Sequence, residues 1–193
     1  NEPSRQALRV LTLCYEFPPL GGGGSKVAHG LAATLVRQGH AVDVVTTRYR
    51  GYPARAVEDG ISVTRVPAWR RRTDRSGTLE LATYLLPCLW RAWRLLRQRR
   101  PDVLHAHFIF PDGLVCWLLK LLTGQRYIIT AHGSDVPGYN PDRFQLAHAM
   151  LGPIWRRVVA GASVTVCPSP WLRNLLVQQN PAAATVGVPN GYD

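Results

Sequence analysis

Three histidines and an aspartate stand at the points where apolar segments of this sequence end. His105 and His107 lie in DVLHAHF, and His132, Ser134 and Asp135 follow YIIT in the stretch YIITAHGSD. Imidazole and carboxylate groups can transfer protons, stabilise charge at a reacting atom or bind a metal ion. The spacing is not specific for a metal, so it favours hydrogen bonds to a ligand or to the backbone. His132 is then a candidate to support a reacting group or to contact a substrate hydroxyl, with a structural histidine as the alternative.

A run of four glycines follows another apolar segment, in YEFPPLGGGGSK. Gly22, Gly23 and Gly24 have no Cβ, so the backbone there can approach a polyanion, and a following helix N-terminus would add free N–H groups. The order of residues matches neither G-x-G-x-x-G nor G-x-x-x-x-G-K-[ST], and no acidic residue ends the next strand to hold a ribose. The stretch therefore favours an anion or sugar-nucleotide site, with a plain flexible turn as the alternative.

Strands and helices must position these residues, and the apolar patterns predict where they lie. Strands are predicted in ALRVLTLCYEF, AVDVVTT, ISVTRVP, DVLHAHF, YIITAH, SVTVCPS and ATVGVPN. Helices are predicted in SKVAHGLAATLVRQGH (capped by Ser25), 78–100 with a break near Pro87, 111–122, 143–160 and PWLRNLLVQ. This alternation predicts one α/β domain, with a Rossmann-like doubly wound parallel sheet and helices on both faces.

In open parallel sheets of this kind, ligands bind beyond the carboxyl ends of the strands. Five predicted strands end in polar or flexible residues, namely the glycine run, His105 with His107, the stretch AHGSD, Ser169, and Asn190 with Gly191 and Asp193. Their common position predicts a single site at one edge of the sheet, with the strands as its rigid supports.

The same stretches resemble a known family. YEFPPLGGGGSKVAHGLAATLVRQGHAVDVVT, PDVLHAHFIFPDG, YIITAHGSD, VCPSPWLRNLL and VPNGYD resemble, in this order, the N-terminal domain of family-four retaining glycosyltransferases of the GT-B fold. The resemblance covers essentially the whole chain. It implies two Rossmann-like domains with a cleft between them, the first binding mainly the acceptor and the second most of the nucleotide-sugar donor. It also implies that residues 1–193 are a single acceptor-side domain, that the donor-binding domain is absent from this chain, and that the chain alone is inactive.

The resemblance implies roles for eight cleft residues. They are a catalytic His132, donor-diphosphate contacts at Gly22, Gly23 and Gly24, and acceptor or cleft contacts at His107, Asp135, Ser169 and Asn190. The implied donor is a UDP- or GDP-hexose, and the implied acceptor carries a hydroxyl group, with a lipid-linked acceptor as one option. Neither a metal nor another cofactor is expected.

Composition limits the other classes of function. The net charge is +11 with 46% hydrophobic and 18% charged residues, which is typical of a globular protein with anionic partners and not of a disordered chain. No nucleic-acid-binding motif is present, so nucleic acid is not an expected partner. The four cysteines lie among apolar residues and predict reduced, buried thiols in a cytoplasmic protein.

The segment TLELATYLLPCLWRAWRLLRQRR is apolar, aromatic and rich in arginine. Trp90 and Trp93 with the neighbouring arginines suit a membrane interface, whereas the alternative is a core helix with a solvated basic face. The nearby WRRRTDR favours peripheral contact with an anionic membrane at its inner face. Two further functions stay open: a GT-B nucleotide-sugar epimerase, and a stand-alone module that binds a phosphorylated glycan or a phospholipid.

Overall fold

The computed structural model describes residues 6–73, 76–139 and 145–191, with the backbone alone described at 145–150. The predicted helix start at Arg143, part of the WRRRTDR stretch and the predicted site-edge residue Asp193 lie outside the described residues.

The described residues form eight strands and five α-helices, which alternate along the chain except where three strands follow one another between the first two helices. The strands are β1 Arg9–Leu13, β2 Ala41–Thr47, β3 Arg55–Glu58, β4 Ile61–Val66, β5 Val103–His107, β6 Tyr127–Thr130, β7 Val164–Cys167 and β8 Thr185–Gly187. The helices are α1 Gly23–Arg37, α2 Thr78–Arg99, α3 Leu114–Thr123, α4 Gln145–Gly161 and α5 Pro170–Gln179, with an irregular turn at Ile109–Gly113 before α3.

The strands form one sheet in the order β3-β4-β2-β1-β5-β6-β7-β8. Every neighbouring pair is parallel except β3 and β4. One hydrophobic cluster packs α1 against the sheet, and a second cluster holds buried residues of α2, α3, α4 and α5. The predicted doubly wound parallel sheet with helices on both faces is therefore confirmed. The strand order reverses between β1 and β5, which is where such sheets bind ligands.

Three local predictions were wrong or incomplete. Strand β3 was not predicted, although Asp59 and Gly60, both at positive φ, make the two-residue turn that joins it antiparallel to β4. Helix α1 begins at Gly23 with Gly22 as its N-cap, so Ser25 is a buried residue of the first turn and not the cap. Helix α2 runs through Pro87 without a break, because buried residues on both sides of the proline pack against the sheet.

Candidate functional site

A cavity of about 700 Å³ opens at the carboxyl ends of the central strands. The loops after β1, β5 and β6 form its floor, and residues of α2, α3 and α4 form one wall. Five of the eight predicted site residues line it, namely Gly22, Gly23, Gly24, His132 and Asp135. Three of the five predicted strand ends thus contribute to one concave pocket at the switch point of the sheet.

The glycine loop lies directly against His132. Gly21 has φ +89, and a Cβ there would approach Glu16 to 2.6 Å, so only glycine fits this turn. A Cβ on Gly22 or Gly23 would meet nothing within 4 Å, whereas one on Gly24 would lie 2.6 Å from Phe108 and 3.2 Å from the His132 ring. The first turn of α1 therefore leaves its backbone open to the cavity at two residues and touches the histidine at the third.

The His132 ring is held on several sides. Its Nε2 lies 3.1 Å from Nδ1 of His107, in hydrogen-bonding distance, and its ring centroid is 4.4 Å from that of Phe108. Phe108 has φ +85, a region that side chains rarely adopt, so the fold imposes strain on the residue that packs against His132. Burial lowers the pKa of His132 to about 4, so the ring is neutral at physiological pH.

His107 and His105 lie behind His132 and are not among the described residues that line the cavity. Both are buried, and His105 Nε2 lies 2.8 Å from Oγ1 of Thr130. Burial lowers the pKa of His105 to about 4 and that of His107 well below its usual range, so both rings are neutral. The structure thus places His107 against His132. The predicted contact between His107 and the acceptor would require the His107 side chain to line the cavity, which it does not.

Asp135 joins two of the loops that form the floor. Its Oδ2 accepts a hydrogen bond from the backbone N–H of Ile109 at 2.7 Å, and its Oδ1 accepts one from the N–H of His132 at 3.0 Å. Burial raises the pKa of this carboxyl, and the backbone N–H groups oppose that shift. The carboxylate lines the cavity while it fixes the backbone on which His132 stands.

Two predicted cleft residues lie elsewhere. Ser169 is the N-cap of α5, and its Oγ accepts a hydrogen bond from the N–H of Leu172 at 3.2 Å. Asn190 follows β8 and is half-buried. Neither is among the described residues that line the cavity. Both remain at the carboxyl side of their strands, so a contact with a ligand across a wider cleft stays a prediction.

Sequence reasoning missed two acidic side chains near the site. Glu16 lines the cavity, and its Oε1 lies 3.3 Å from Nη2 of Arg70, whose side chain is buried. Asp112 is fully buried and accepts hydrogen bonds from the Tyr15 N–H at 3.1 Å and the Tyr84 hydroxyl at 2.9 Å. Glu16 directly follows the apolar part of the first predicted strand. This position at a strand end could have identified Glu16 as a site residue.

The wall that the helices contribute to the cavity is apolar. It consists of Leu81 and Leu85 from α2, Phe110, Leu114 from α3 and Trp155 from α4. The cavity therefore combines polar groups, at the strand termini, with an apolar wall, made by the helices. A ligand that fills it would present polar groups to His132 and an apolar group to α2.

The outer face of α2 is also apolar. Leu79, Leu86, Trp90 and Trp93 recur at spacings of seven, four and three residues, which places them on one side of the helix. They are exposed, Leu86 by 76% and Trp90 by 55%. Guanidinium groups lie over both indole rings, at 4.9 Å for Trp90 and 5.7 Å for Trp93. We call these four residues the outer α2 face.

The described residues contain neither a cluster of metal-binding side chains nor a membrane-spanning helix. Within 6–73, 76–139 and 145–191, no three histidine, cysteine, aspartate or glutamate side chains are arranged to hold a metal ion. Over that same part of the chain, no helix combines the length and the apolar character needed to cross a bilayer. The four cysteines are buried and free.

The profile of Glycosyltransferase Family 4 matches residues 21–193 of this chain. An uncharacterized glycosyltransferase of Methanocaldococcus jannaschii is 27% identical over 150 residues, which are 74% of this chain and 36% of that protein. The match to the family profile confirms the resemblance that the sequence stretches predicted.

Two solved structures share the fold at low sequence identity. Sucrose-phosphate synthase from Thermosynechococcus elongatus superposes with a TM-score of 0.81 at 16% identity, over 96% of this chain and 49% of that one. HepE of Anabaena, solved with UDP and glucose, superposes with a TM-score of 0.65 at 14% identity, over 96% and 45%. The chain thus spans half or less of the length of these three proteins.

Proposed function

The chain belongs to glycosyltransferase family 4, and from this premise we propose that it is the acceptor-side half of a retaining enzyme that transfers a hexosyl group from a nucleotide sugar to a hydroxyl acceptor. A UDP- or GDP-hexose is the proposed donor, a choice supported by the UDP and glucose bound to HepE. Residues 1–193 would form one domain, and a second domain would bind most of the donor. We expect this chain alone to be inactive.

The contact between the glycine loop and His132 carries the proposal. A Cβ on Gly24 would lie 3.2 Å from the His132 ring, while the backbone at Gly22 and Gly23 is open to the cavity at the N-terminus of α1. A helix N-terminus whose backbone N–H groups are not covered by side chains can bind a diphosphate. A neutral imidazole beside it can form a hydrogen bond with the sugar that the diphosphate carries.

The proposed reaction takes place on one face of the sugar. The bond from the anomeric carbon to the diphosphate oxygen breaks, the acceptor oxygen bonds to that carbon on the same side, and the acceptor proton passes to the leaving phosphate. Free N–H groups at Gly22 to Gly24 would stabilise the charge that develops on the diphosphate, and His132 would orient the sugar. No metal or cofactor is part of this proposal.

Substitution of His132 in the complete enzyme tests the proposal. His132→Ala should lower the rate of sugar transfer on the order of 10²-fold, the usual effect of lost transition-state stabilisation. His40→Ala is a suitable control, because His40 lies before β2 and contacts the backbone of Leu8. Near-normal transfer by the His132 variant, with normal folding, would remove His132 from the mechanism.

The apolar wall of the cavity supports a lipid-linked acceptor. Leu81, Leu85 and Leu114 would contact an apolar group, while the hydroxyl that receives the sugar would point toward His132. Two acceptors with the same sugar, one carrying an alkyl chain, test this idea in the complete enzyme. Leu85→Ser should lower kcat/KM for the alkyl acceptor and leave that for the plain acceptor nearly unchanged. Equal kcat/KM values for the two acceptors with the unaltered enzyme would argue against a lipid-linked substrate.

The outer α2 face supports contact with an anionic membrane from the cytoplasmic side. Its exposed Leu86, Trp90 and Trp93 can enter the lipid interface while the stacked arginines pair with phosphate groups. Vesicle flotation should show binding to anionic vesicles that Trp90→Ser weakens. Trp171→Ser is a matched control, since Trp171 is similarly exposed, by 57%, but lies on α5. Negligible binding to both anionic and neutral vesicles would eliminate this contact.

Two measurements separate the transferase from the alternatives. An epimerase would convert the nucleotide sugar without any acceptor, so acceptor-free turnover would favour that function. The intact mass of the native protein tests the two-domain arrangement, because a second domain of similar size would give about twice the mass of this chain. A native product that ends near residue 193 would favour the stand-alone binding module.

A further inference from the structure

We propose that His107 is a positioning residue that holds His132 with its proton on Nδ1, the nitrogen on the side of the ring next to the glycine loop. This inference rests on the proposed role of His132. It assigns His107 to the support of His132 instead of to the acceptor, and it predicts which hydrogen-bonding group the enzyme presents to the donor.

The geometry of the two rings carries the inference. Nδ1 of His107 lies 3.1 Å from Nε2 of His132, and the ring planes differ by 22°. The two side chains come from adjacent parallel strands: His107 is the last residue of β5, and its register partner on β6 is Thr130, two residues before His132. His107 is 1% exposed, so water does not compete for its Nδ1.

A hydrogen bond between two neutral imidazoles couples their tautomers. Each neutral ring has one N–H donor and one bare acceptor nitrogen, so this bond uses a single proton. If His107 donates its Nδ1–H, His132 accepts at Nε2 and must carry its own proton on Nδ1. Burial keeps both rings neutral, so neither ring carries a second N–H proton. With a second proton the hydrogen bond could form without fixing the tautomer.

The orientation of His132 decides which tautomer is useful. A Cβ on Gly24 would lie 3.2 Å from both Cγ and Nδ1 of His132, so the side of the ring that carries Nδ1 lies next to the first turn of α1. The free N–H groups of that turn favour an anion or an electronegative oxygen as their neighbour. An N–H on Nδ1 would add one more donor to the same oxygen-binding surface, whereas a lone pair there would oppose it.

Nitrogen NMR of histidine-labelled protein reads the tautomer directly, without any activity. The unaltered chain should show His132 protonated on Nδ1 and His107 protonated on Nδ1. His107→Asn keeps an amide donor near the position of Nδ1 and should preserve the His132 tautomer. His107→Leu removes the donor, so His132 should become a mixture of tautomers. A His132 proton on Nε2 in the unaltered chain, or an unchanged His132 spectrum in the leucine variant, would overturn the inference.

Kinetics of the complete enzyme provide the second readout. His107→Leu should lower kcat on the order of 10- to 100-fold with little change in the donor KM. Losses of this size are usual when the hydrogen-bond partner that orients a metal-binding histidine is removed. His107→Asn should restore most of kcat. In a His132→Ala background the leucine change should have little further effect, because both act through one ring. Full additivity there would refute the coupling.

Failure of this inference and failure of the proposed function are distinguishable. If His132→Ala transfers sugar at a near-normal rate, the proposed function fails, while the NMR spectra still report whether His107 sets the tautomer. If the leucine variant does not fold, the spectra of the unaltered chain and of the asparagine variant still decide the question.

Discussion

A methyl group added at Gly24 should disturb the site far more than one added at Gly23. In Gly24→Ala the new Cβ would lie 2.6 Å from the Phe108 ring and 3.2 Å from the His132 ring. Carbon atoms pack at about 3.5–4.0 Å, so the Phe108 ring must move by roughly 1 Å. Phe108 has little freedom to do so, because its backbone is already at φ +85 and its ring packs against Tyr15 at 4.9 Å.

The expected energies follow from these contacts. Overpacking costs about 1–3 kcal/mol, and replacing glycine by alanine inside α1 offsets up to about 1 kcal/mol of this. Gly23→Ala is the matched control, since it is the neighbouring helix residue and its Cβ would meet nothing within 4 Å. It should stabilise the fold by about 0.4–1 kcal/mol. The two variants should therefore differ by about 1–3 kcal/mol.

Thermal unfolding followed by circular dichroism measures this difference. For a chain of this size each kcal/mol moves the midpoint by about 2–4 °C, so Gly24→Ala should unfold several degrees below Gly23→Ala. The His132 ring signals should also shift in the Gly24 variant alone. An unfolding midpoint of Gly24→Ala equal to or above that of Gly23→Ala would refute the contact between the glycine loop, Phe108 and His132.

Three further predictions concern buried polar groups. The pKa of His105 is about 4 in the folded chain, against an ordinary value of 6.5. Between these pH values the unfolded chain therefore binds more protons than the folded chain. The stability that His105 contributes above about pH 6.5 is thus lost as the pH falls toward 4. His105→Gln should accordingly lose less stability between pH 7 and pH 5 in urea titrations, and identical losses would contradict this. Asp135→Asn should cost about 1–3 kcal/mol in the same titrations, because an NH₂ group replaces an oxygen that accepts hydrogen bonds from backbone N–H groups such as those of Ile109 and His132; a change below about 0.5 kcal/mol would be inconsistent with these hydrogen bonds. Tyr84→Phe should cost about 1–3 kcal/mol, since it leaves the buried Asp112 without its hydroxyl donor, and unchanged stability would exclude that role.

Part of the fold could be predicted because its causes are local. Buried parallel strands need continuous apolar residues, and the amphipathic helices between them need apolar residues with a 3.6-residue period. Both patterns can therefore be recognised in a single sequence. The edge hairpin was missed because Arg55–Glu58 is short and half-polar, and only its Asp59-Gly60 turn marked it. The break predicted at Pro87 was wrong because packing of α2 on the sheet outweighs the lost hydrogen bond.

The sequence also predicted, in part, which residues lie together at the cavity. Gly22–Gly24 follow β1, His132 follows β6 and His107 ends β5, and parallel strands place such ends at one edge of the sheet. The sequence by itself therefore determined the fold class, the side of the sheet that carries the site and five of the residues that line the cavity.

Only the tertiary structure decided how those residues meet. His107 and His132 are 25 residues apart, and the register of β5 with β6 brings one nitrogen of each ring to 3.1 Å. The rotation of α2 turns Leu85 into the cavity and Leu86 outward. Contacts of this kind depend on side chains from distant segments settling into one packed arrangement, and no local pattern in the chain encodes them.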